Sequence, residues 1–250
     1  MLRIKNKIFF NPTSTFTQNM NRSDYLSLTL IRHAQSKFNE AEAEEGFEKT
    51  QFNPILIDPE ITDVGVKQTQ VVFEQLKSKP YDVVLVSPLK RALITATNIF
   101  RENCGNPKFI AVPLLTEQLV CSGEIGSNFY ELTRTFKHVD FSLVNQLKRP
   151  EYWYLDCLQE ENWTDSILQE ANELGITEPN KVGEFVLAKL KIRPELLETL
   201  EKLAKRAQEA KDAIKRIVAE QGPEKRYAIV THQCLLEELT KSQERPGMVF

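Results

Sequence analysis

The run Asp82 to Val86 is almost continuously apolar. A strand with one wet face alternates, so a run like this marks a strand covered on both faces, as in a parallel sheet. Three other segments read as strands: Leu26 to Ile31, which alternates, Phe109 to Val112, behind the turn signal Cys-Gly-Asn-Pro, and Tyr227 to Thr231. Helical runs separate them. Thr62 stands as an N-cap before Asp63 to Leu76, with Asp63 at the positive end of the helix dipole. Ser87-Pro88 opens a helix to about Phe100, with Pro in its favoured first position. Apolar residues at Leu196, Leu200, Leu203, Ala207, Ala210, Ile214 and Ile217 predict a long amphipathic helix from about Pro194, with Glu198 and Lys202 paired at i,i+4. Its stripe is too short for a convincing coiled coil, and Gln221-Gly222-Pro223 stops it. Strand alternating with helix is the pattern of an α/β layered fold.

With 250 residues the chain suits one large α/β domain. A polar tail, 1–24, precedes a domain spanning 25–250, with an inserted, partly helical segment at about 121–176 that holds Trp153 and Trp163. The tail is basic up to Arg22, which leaves a mitochondrial presequence as the alternative to a plain cytoplasmic chain. Lys plus Arg is 32 against 35 for Asp plus Glu, a net charge of −3 without the basic excess of a duplex nucleic-acid binder. No apolar run approaches the ~20 residues that span a bilayer. Cys104, Cys121, Cys157 and Cys234 make no CxxC pair, and with three histidines they do not compose a zinc site. Reduced thiols in an intracellular compartment are the expectation. Oligomeric state is open.

In open α/β sheets, ligands bind outside the carboxyl ends of the strands. Arg32 and His33 follow the first strand. Ser87-Pro88 and then Arg91 follow the second, Glu117 stands a few residues past the third, and His232 directly follows the fourth. Arginine offers a rigid fork of donors for phosphate oxygens, and imidazole can act as nucleophile or proton carrier near neutrality. Two Arg, two His and one carboxylate on one rim suggest phosphoryl transfer through a phosphohistidine. The cations are built in, so neither metal nor cofactor is called for, and the arginines would repel a metal at the histidines. His138 carries no motif and reads as a surface or half-buried residue. The Glu40 to Glu48 cluster reads as a solvated face.

Five blocks resemble the signatures of the histidine phosphatase superfamily, also called phosphoglycerate mutase-like. Leu30-Ile-Arg-His-Ala-Gln-Ser-Lys-Phe-Asn39 is similar to its Arg-His-Gly signature. Asp58-Pro-Glu-Ile-Thr-Asp-Val-Gly65 with Gln68, then Val86-Ser-Pro-Leu-Lys-Arg-Ala92 with Thr95-Ala96, Leu114-Leu-Thr-Glu117 and Ile229-Val-Thr-His232 follow in the family's order. The stretch Cys121 to Ser127, with Glu-Tyr-Trp-Tyr at 151–154, resembles a branch found among plant and microbial eukaryote members. The resemblance implies a three-layer α/β/α sandwich on a mostly parallel sheet and a metal-independent phosphatase for a small phosphorylated substrate or a phosphoprotein. It implies that His33 is the nucleophile, that Arg32, Arg91, His232 and Asn39 hold the phosphoryl oxygens, and that Glu117 is the general acid, with nearby Glu124 the alternative.

The chain departs from the pattern at Ala34 and Gln233, where Gly is usual, and it ends eighteen residues after His232, early for the family, which leaves either a missing final strand or an incomplete gene product as the expectation. These departures favour a second reading, a non-catalytic phospholigand-binding module. A phosphoglycerate mutase is disfavoured, because Glu40-Ala-Glu-Ala-Glu-Glu-Gly46 does not match the block those enzymes share.

Overall fold

The computed structural model describes residues 7–8, 28–100, 105–158 and 161–241. Its centre is a six-stranded parallel sheet: β1 (Lys7–Ile8), β2 (Leu28–Arg32), β3 (Val83–Val86), β4 (Lys108–Ala111), β5 (Val139–Asp140) and β6 (Tyr227–Thr231), in the order β1-β2-β6-β3-β4-β5. The helices are α1 (Lys37–Glu45), α2 (Phe47–Thr50), α3 (Asp63–Leu76), α4 (Lys90–Phe100), α5 (Phe129–Thr135), α6 (Ser142–Asn145), α7 (Trp153–Leu158), α8 (Glu161–Glu173), α9 (Pro179–Ile192), α10 (Leu200–Gln221) and α11 (Gln233–Thr240).

Two apolar cores sandwich the sheet, as the uninterrupted run at β3 predicts. Ile31, Val84, Val86, Ala228 and Val230 enter a core with α3, α4, α7 and α9. Their neighbours Leu28, Leu30, Val83, Leu85, Tyr227 and Ile229 enter the opposite core with α10 and α11. Successive side chains of a strand point to opposite faces, so a strand with helices on both sides is apolar throughout. This is a three-layer α/β/α architecture. Among the described residues, no helix is long and apolar enough to cross a membrane.

Several boundaries differ from the sequence reading. Lys7 and Ile8, placed in the polar tail, pair with Leu30 and Ile31 and extend the sheet at one edge. The rest of the tail, Leu26 in the first predicted strand, and Cys104 lie outside the described residues. Pro88 is not the first residue of α4, which begins at Lys90, whose backbone N–H is held by Asp58 Oδ1 at 2.9 Å. Nor does α10 begin at Pro194. Pro194–Leu196 is a separate 3-10 turn, and Thr199 caps α10 by accepting from the Lys202 N–H at 3.2 Å. Glu198 therefore lies outside the helix and pairs with Arg206, not Lys202.

The middle of the chain is more helical than expected, and it is part of the core. Trp153, Leu155, Val182 and Val186 bury against the same cluster as α3 and α4, and β5 pairs with β4. The Glu40 to Glu48 stretch spans α1 and α2, and its glutamates lie at or near the surface. Cys121 and Cys234 are free thiols.

The block around Thr62 shows why its residues keep their spacing. Thr62 caps α3, its N–H donates to the Gln35 carbonyl at 2.9 Å, and its hydroxyl donates to Gln35 Oε1 at 2.7 Å. Gln68 Oε1, two turns on, accepts from the Gln35 N–H at 2.8 Å. The first turn of α3 thus grips the loop that follows β2. A Cβ on Gly65 would stand 2.4 Å from the Gln35 carbonyl oxygen, a backbone atom held in place by that same grip. Gly65→Ala is expected to cost about 1–3 kcal/mol, the usual penalty of overpacking, whereas Val64→Ala on the exposed face should stay within about 0.5 kcal/mol. Thermal melts of the two variants check this, and equal midpoints would refute it.

Candidate active site

The register of three central strands builds the site. Arg32 pairs with Thr231, and Val86 with Val230, so β2, β6 and β3 end at one level. The ladder continues one residue further, with the His33 N–H donating to the Thr231 carbonyl at 2.8 Å and the Ser87 N–H to the Val230 carbonyl at 3.0 Å. Adjacent strands lie about 4.8 Å apart. His33 and His232, at the ends of neighbouring strands, accordingly stand with ring centroids 5.0 Å apart.

Each ring has a defined partner. His33 Nδ1 lies 2.7 Å from the Ala34 carbonyl oxygen. A carbonyl only accepts, so Nδ1 carries the proton and Nε2 keeps its lone pair. That lone pair accepts from Arg91 Nε at 3.3 Å. His232 Nε2 lies 2.8 Å from Ser87 Oγ. Burial, then the charge of Arg91, then that of Arg32 push His33 well below the usual imidazole range, against the opposing pull of the Ala34 carbonyl. Burial, Arg91, His33, Arg206 and Arg32 do the same to His232. Both rings are neutral at neutral pH.

Arg91 sits in the first turn of α4, and each of its three nitrogens has a partner. Besides His33 it donates to the Gly123 carbonyl and, at 3.2 Å, to Glu124 Oε1. Glu124 Oε2 in turn accepts from the Cys121 N–H at 3.0 Å and from its thiol at 2.6 Å. Burial raises the Glu124 carboxyl, with help from the charge of Glu117 and against the pull of Arg91 and Cys121, to about 7. Arg32 is half-buried at the carboxyl end of β2, and its charge falls on both histidines. Arg32 Nε and His232 Nδ1 are buried and bond to no group among the described residues.

The two candidate acids occupy different places. Glu117 is half-buried at the start of α11, the helix that opens directly after His232. Its carboxylate accepts from the N–H groups of Gln118 at 2.9 Å, Cys234 at 3.2 Å and Leu235 at 3.3 Å. Glu124 is the carboxylate on Arg91. Asn39 lies in the capping box of α1, its Oδ1 accepting from the Ser36 N–H at 3.1 Å and hydroxyl at 3.0 Å. His138 is half-buried, lying 3.0 Å from the Thr97 hydroxyl and edge-on to Phe109. Sequence reasoning did not assign Ser87 and Gly123 to the site. Ser87 carried a signal, since it ends β3, but Gly123 carried none.

The two departures from the glycine pattern fit without strain. Ala34 is fully buried, its N–H donates to the Thr95 hydroxyl at 3.0 Å, and it is not among the residues with positive φ. Gln233 turns its amide along α11 to Glu237 and leaves the site clear.

Residues 28–138 match the family described as the histidine phosphatase superfamily (branch 1). Phosphoserine phosphatase 1 of Hydrogenobacter thermophilus is 34% identical over 74 residues, 30% of this chain and 31% of that protein. The chain thus aligns with about a third of that curated relative's length. Among solved structures, the phosphoglycerate mutase of Bacillus anthracis is 18% identical with a TM-score of 0.45, over 85% of this chain and 77% of that one. The ecdysone phosphate phosphatase from Bombix mori, in complex with tungstate, is 13% identical with a TM-score of 0.45, over 89% and 82%. The matched residues carry four of the five sequence blocks, and the fifth supplies His232 beside His33. The matched stretch is similar to the histidine phosphatase superfamily, and it makes up less than half of the chain.

An anion bound by Arg91 competes with Glu124, and more strongly once Glu124 is ionised. Sulfate does not titrate between pH 6 and 8, and His33 stays neutral there. Sulfate affinity should therefore fall as pH rises through 7, by roughly tenfold if the two anions couple by one pKa unit. Glu124→Gln should bind sulfate more tightly and with a flat profile. Calorimetric titration of both proteins at pH 6 and pH 8 measures this, and parallel profiles would remove Glu124 from the anion site.

Proposed function

We propose that the chain is a metal-independent phosphatase that hydrolyses phosphomonoesters through a phosphohistidine at His33 Nε2. One observation carries this reading. The Nδ1 proton of His33 is fixed on the Ala34 carbonyl, so a neutral ring presents its Nε2 lone pair beside a guanidinium and a second imidazole. A nucleophile needs an unprotonated electron pair, and here burial and the neighbouring cations keep the ring neutral, with the Arg91 Nε–H as the partner that an incoming phosphoryl group displaces. The match to the superfamily and to a phosphoserine phosphatase over 74 residues supports a small alkyl phosphate as substrate.

In the first step Nε2 attacks phosphorus and the ester P–O bond breaks. Glu117 gives its proton to the leaving oxygen. Arg32, Arg91, His232 and the Asn39 amide hold the phosphoryl oxygens, where fixed cations and donors stabilise the charge that develops. In the second step water attacks phosphorus, its proton passes to Glu117, and the N–P bond breaks to regenerate neutral His33. Arg91 reaches the phosphoryl oxygens by releasing Glu124 and the His33 lone pair.

Purified protein given a panel of phosphomonoesters in the presence of EDTA should release phosphate. His33→Ala should lose far more than the tenfold that a single 1.4 kcal/mol contact is worth, and a variant keeping more than about a tenth of the rate would end the covalent mechanism. Glu117→Gln should slow alkyl ester hydrolysis by roughly 10²–10³, the worth of a positioned acid. At the phosphorylation step, read as kcat/KM, aryl esters, whose phenol leaves unaided, should suffer far less. Equal losses on both would move the acid to Glu124. No turnover on any ester, with phosphate affinity lost in Arg32→Ala or Arg91→Ala, would instead describe a binding module.

A further inference from the structure

The long helix α10 carries a charge where its buried face requires apolar atoms. Leu203, Ala207, Ala210, Ile214 and Ile217 of that face are buried, and so is Arg206, at 3% exposed. A buried guanidinium is tolerated only when its donors are satisfied. Nε and Nη2 form a bidentate pair with Glu198, both at 2.8 Å, and Glu198 is equally buried. The remaining donors go to backbone carbonyls: Nη1 to Leu114 at 3.1 Å and Thr116 at 2.8 Å, and Nη2 to Glu117 at 3.1 Å.

Glu198 grips the same segment from its other end. Its Oε2 accepts from the Leu119 N–H at 3.1 Å, its own N–H donates to the Leu119 carbonyl at 2.9 Å, and its carbonyl accepts from Gln118 Nε2 at 2.7 Å. The Leu115 carbonyl is taken by the hydroxyl of Thr231, the residue before His232. Every residue from Leu114 to Leu119 is thus tied by a polar contact to α10, to the segment ahead of it, or to β6, and Glu117 is in the middle. An ion pair that served only stability would be an odd choice, because two apolar side chains of similar volume often do as well or better. What apolar residues cannot do is hold the carbonyls of Leu114, Thr116 and Glu117 at a fixed position.

We infer that Arg206 and Glu198 are positioning residues, a clamp that fixes the Leu114–Leu119 segment so that the Glu117 carboxylate stands on the first N–H groups of α11, the helix that follows His232. This inference rests on the phosphatase reading, with Glu117 as its acid. The Arg206 charge also reaches His232, where it helps keep that ring neutral.

The test uses Arg206→Met, Glu198→Leu and the double variant, with β-glycerophosphate as the alkyl ester and p-nitrophenyl phosphate as the aryl ester. The double variant leaves no unpaired buried charge, so it should melt above either single variant and stay folded even if one of them does not. If the clamp positions the acid, kcat/KM for the alkyl ester, which reports the phosphorylation step, should fall by about tenfold to a hundredfold, the cost of a displacement near 1 Å. For the aryl ester kcat/KM should change by less than about threefold, because its leaving group needs little acid assistance in that step. Losses that are equal on the two esters, or absent from a folded double variant, would overturn the clamp. Failure of the parent reading looks different and overturns the clamp with it: the wild type would be idle on both esters, or Glu117→Gln would not separate them, before any Arg206 variant is made.

Discussion

The parallel register of β2, β6 and β3 is the constraint on which the rest of the molecule depends. Arg32 faces Thr231 across one ladder, and Val86 faces Val230 across the next. From that alignment follow the 5.0 Å between the imidazoles and the contact of Ser87 with His232. It also follows that α11 begins at the level of the site, where its first N–H groups meet Glu117. A register shift of one residue would turn every side chain of the slipped strand to the other face. The alternation between the two cores forbids it, since Ile229 and Val230 belong to opposite layers. Burial of ordinary apolar residues thereby fixes the geometry of the reactive ones.

Electrostatics then acts on a frame already set. Arg32, Arg91 and Arg206 place positive charge on His232, and two of them do so on His33. In water such charges would be screened. At these buried rings they are not, and they favour the neutral imidazole. The same burial works in the opposite direction on carboxyl groups: it raises Asp58, whose oxygens hold the Lys90 and Ser127 N–H groups, and it raises Glu124. One low-dielectric environment thus keeps the bases deprotonated and a carboxyl close to half-protonated.

The sequence was most legible where a local signal and the tertiary structure agreed. Helix α3 has the bounds that Thr62 and Asp63 announce, and β6 has those of its apolar run. Arg32, His33, Arg91 and His232 were found because strand ends in a parallel sheet share a rim, and Glu117 because it lies just past β4. Legibility failed where a distant group overrode a local pattern. Pro88 looks like a first helical residue, yet Asp58, thirty-two positions before Lys90, fixes where α4 begins. Glu198 looks like the i,i+4 partner of Lys202, yet it turns inward to Arg206. The span after Cys121 showed no clean period because its helices are short and bury against α4 and against each other. Gly123 joins the site through its carbonyl, a group every residue has, so no side-chain pattern could single it out.

Arg91 already holds Glu124, so an anion that takes the place of that carboxylate enters by exchange and not by addition. The guanidinium already holds a carbonyl and a carboxylate, and whatever anion arrives takes over a place that Glu124 occupies. The affinity measured for such an anion is the difference between two ligands for one cation, as on an ion-exchange resin. Singly charged, weakly directional ions such as chloride gain little by the trade, while a tetrahedral dianion with several acceptor oxygens gains more. The trade also runs backwards. When the bound anion loosens, the tethered carboxylate is already at hand, so the chain carries its own eluent, and its local concentration does not depend on the surrounding solution.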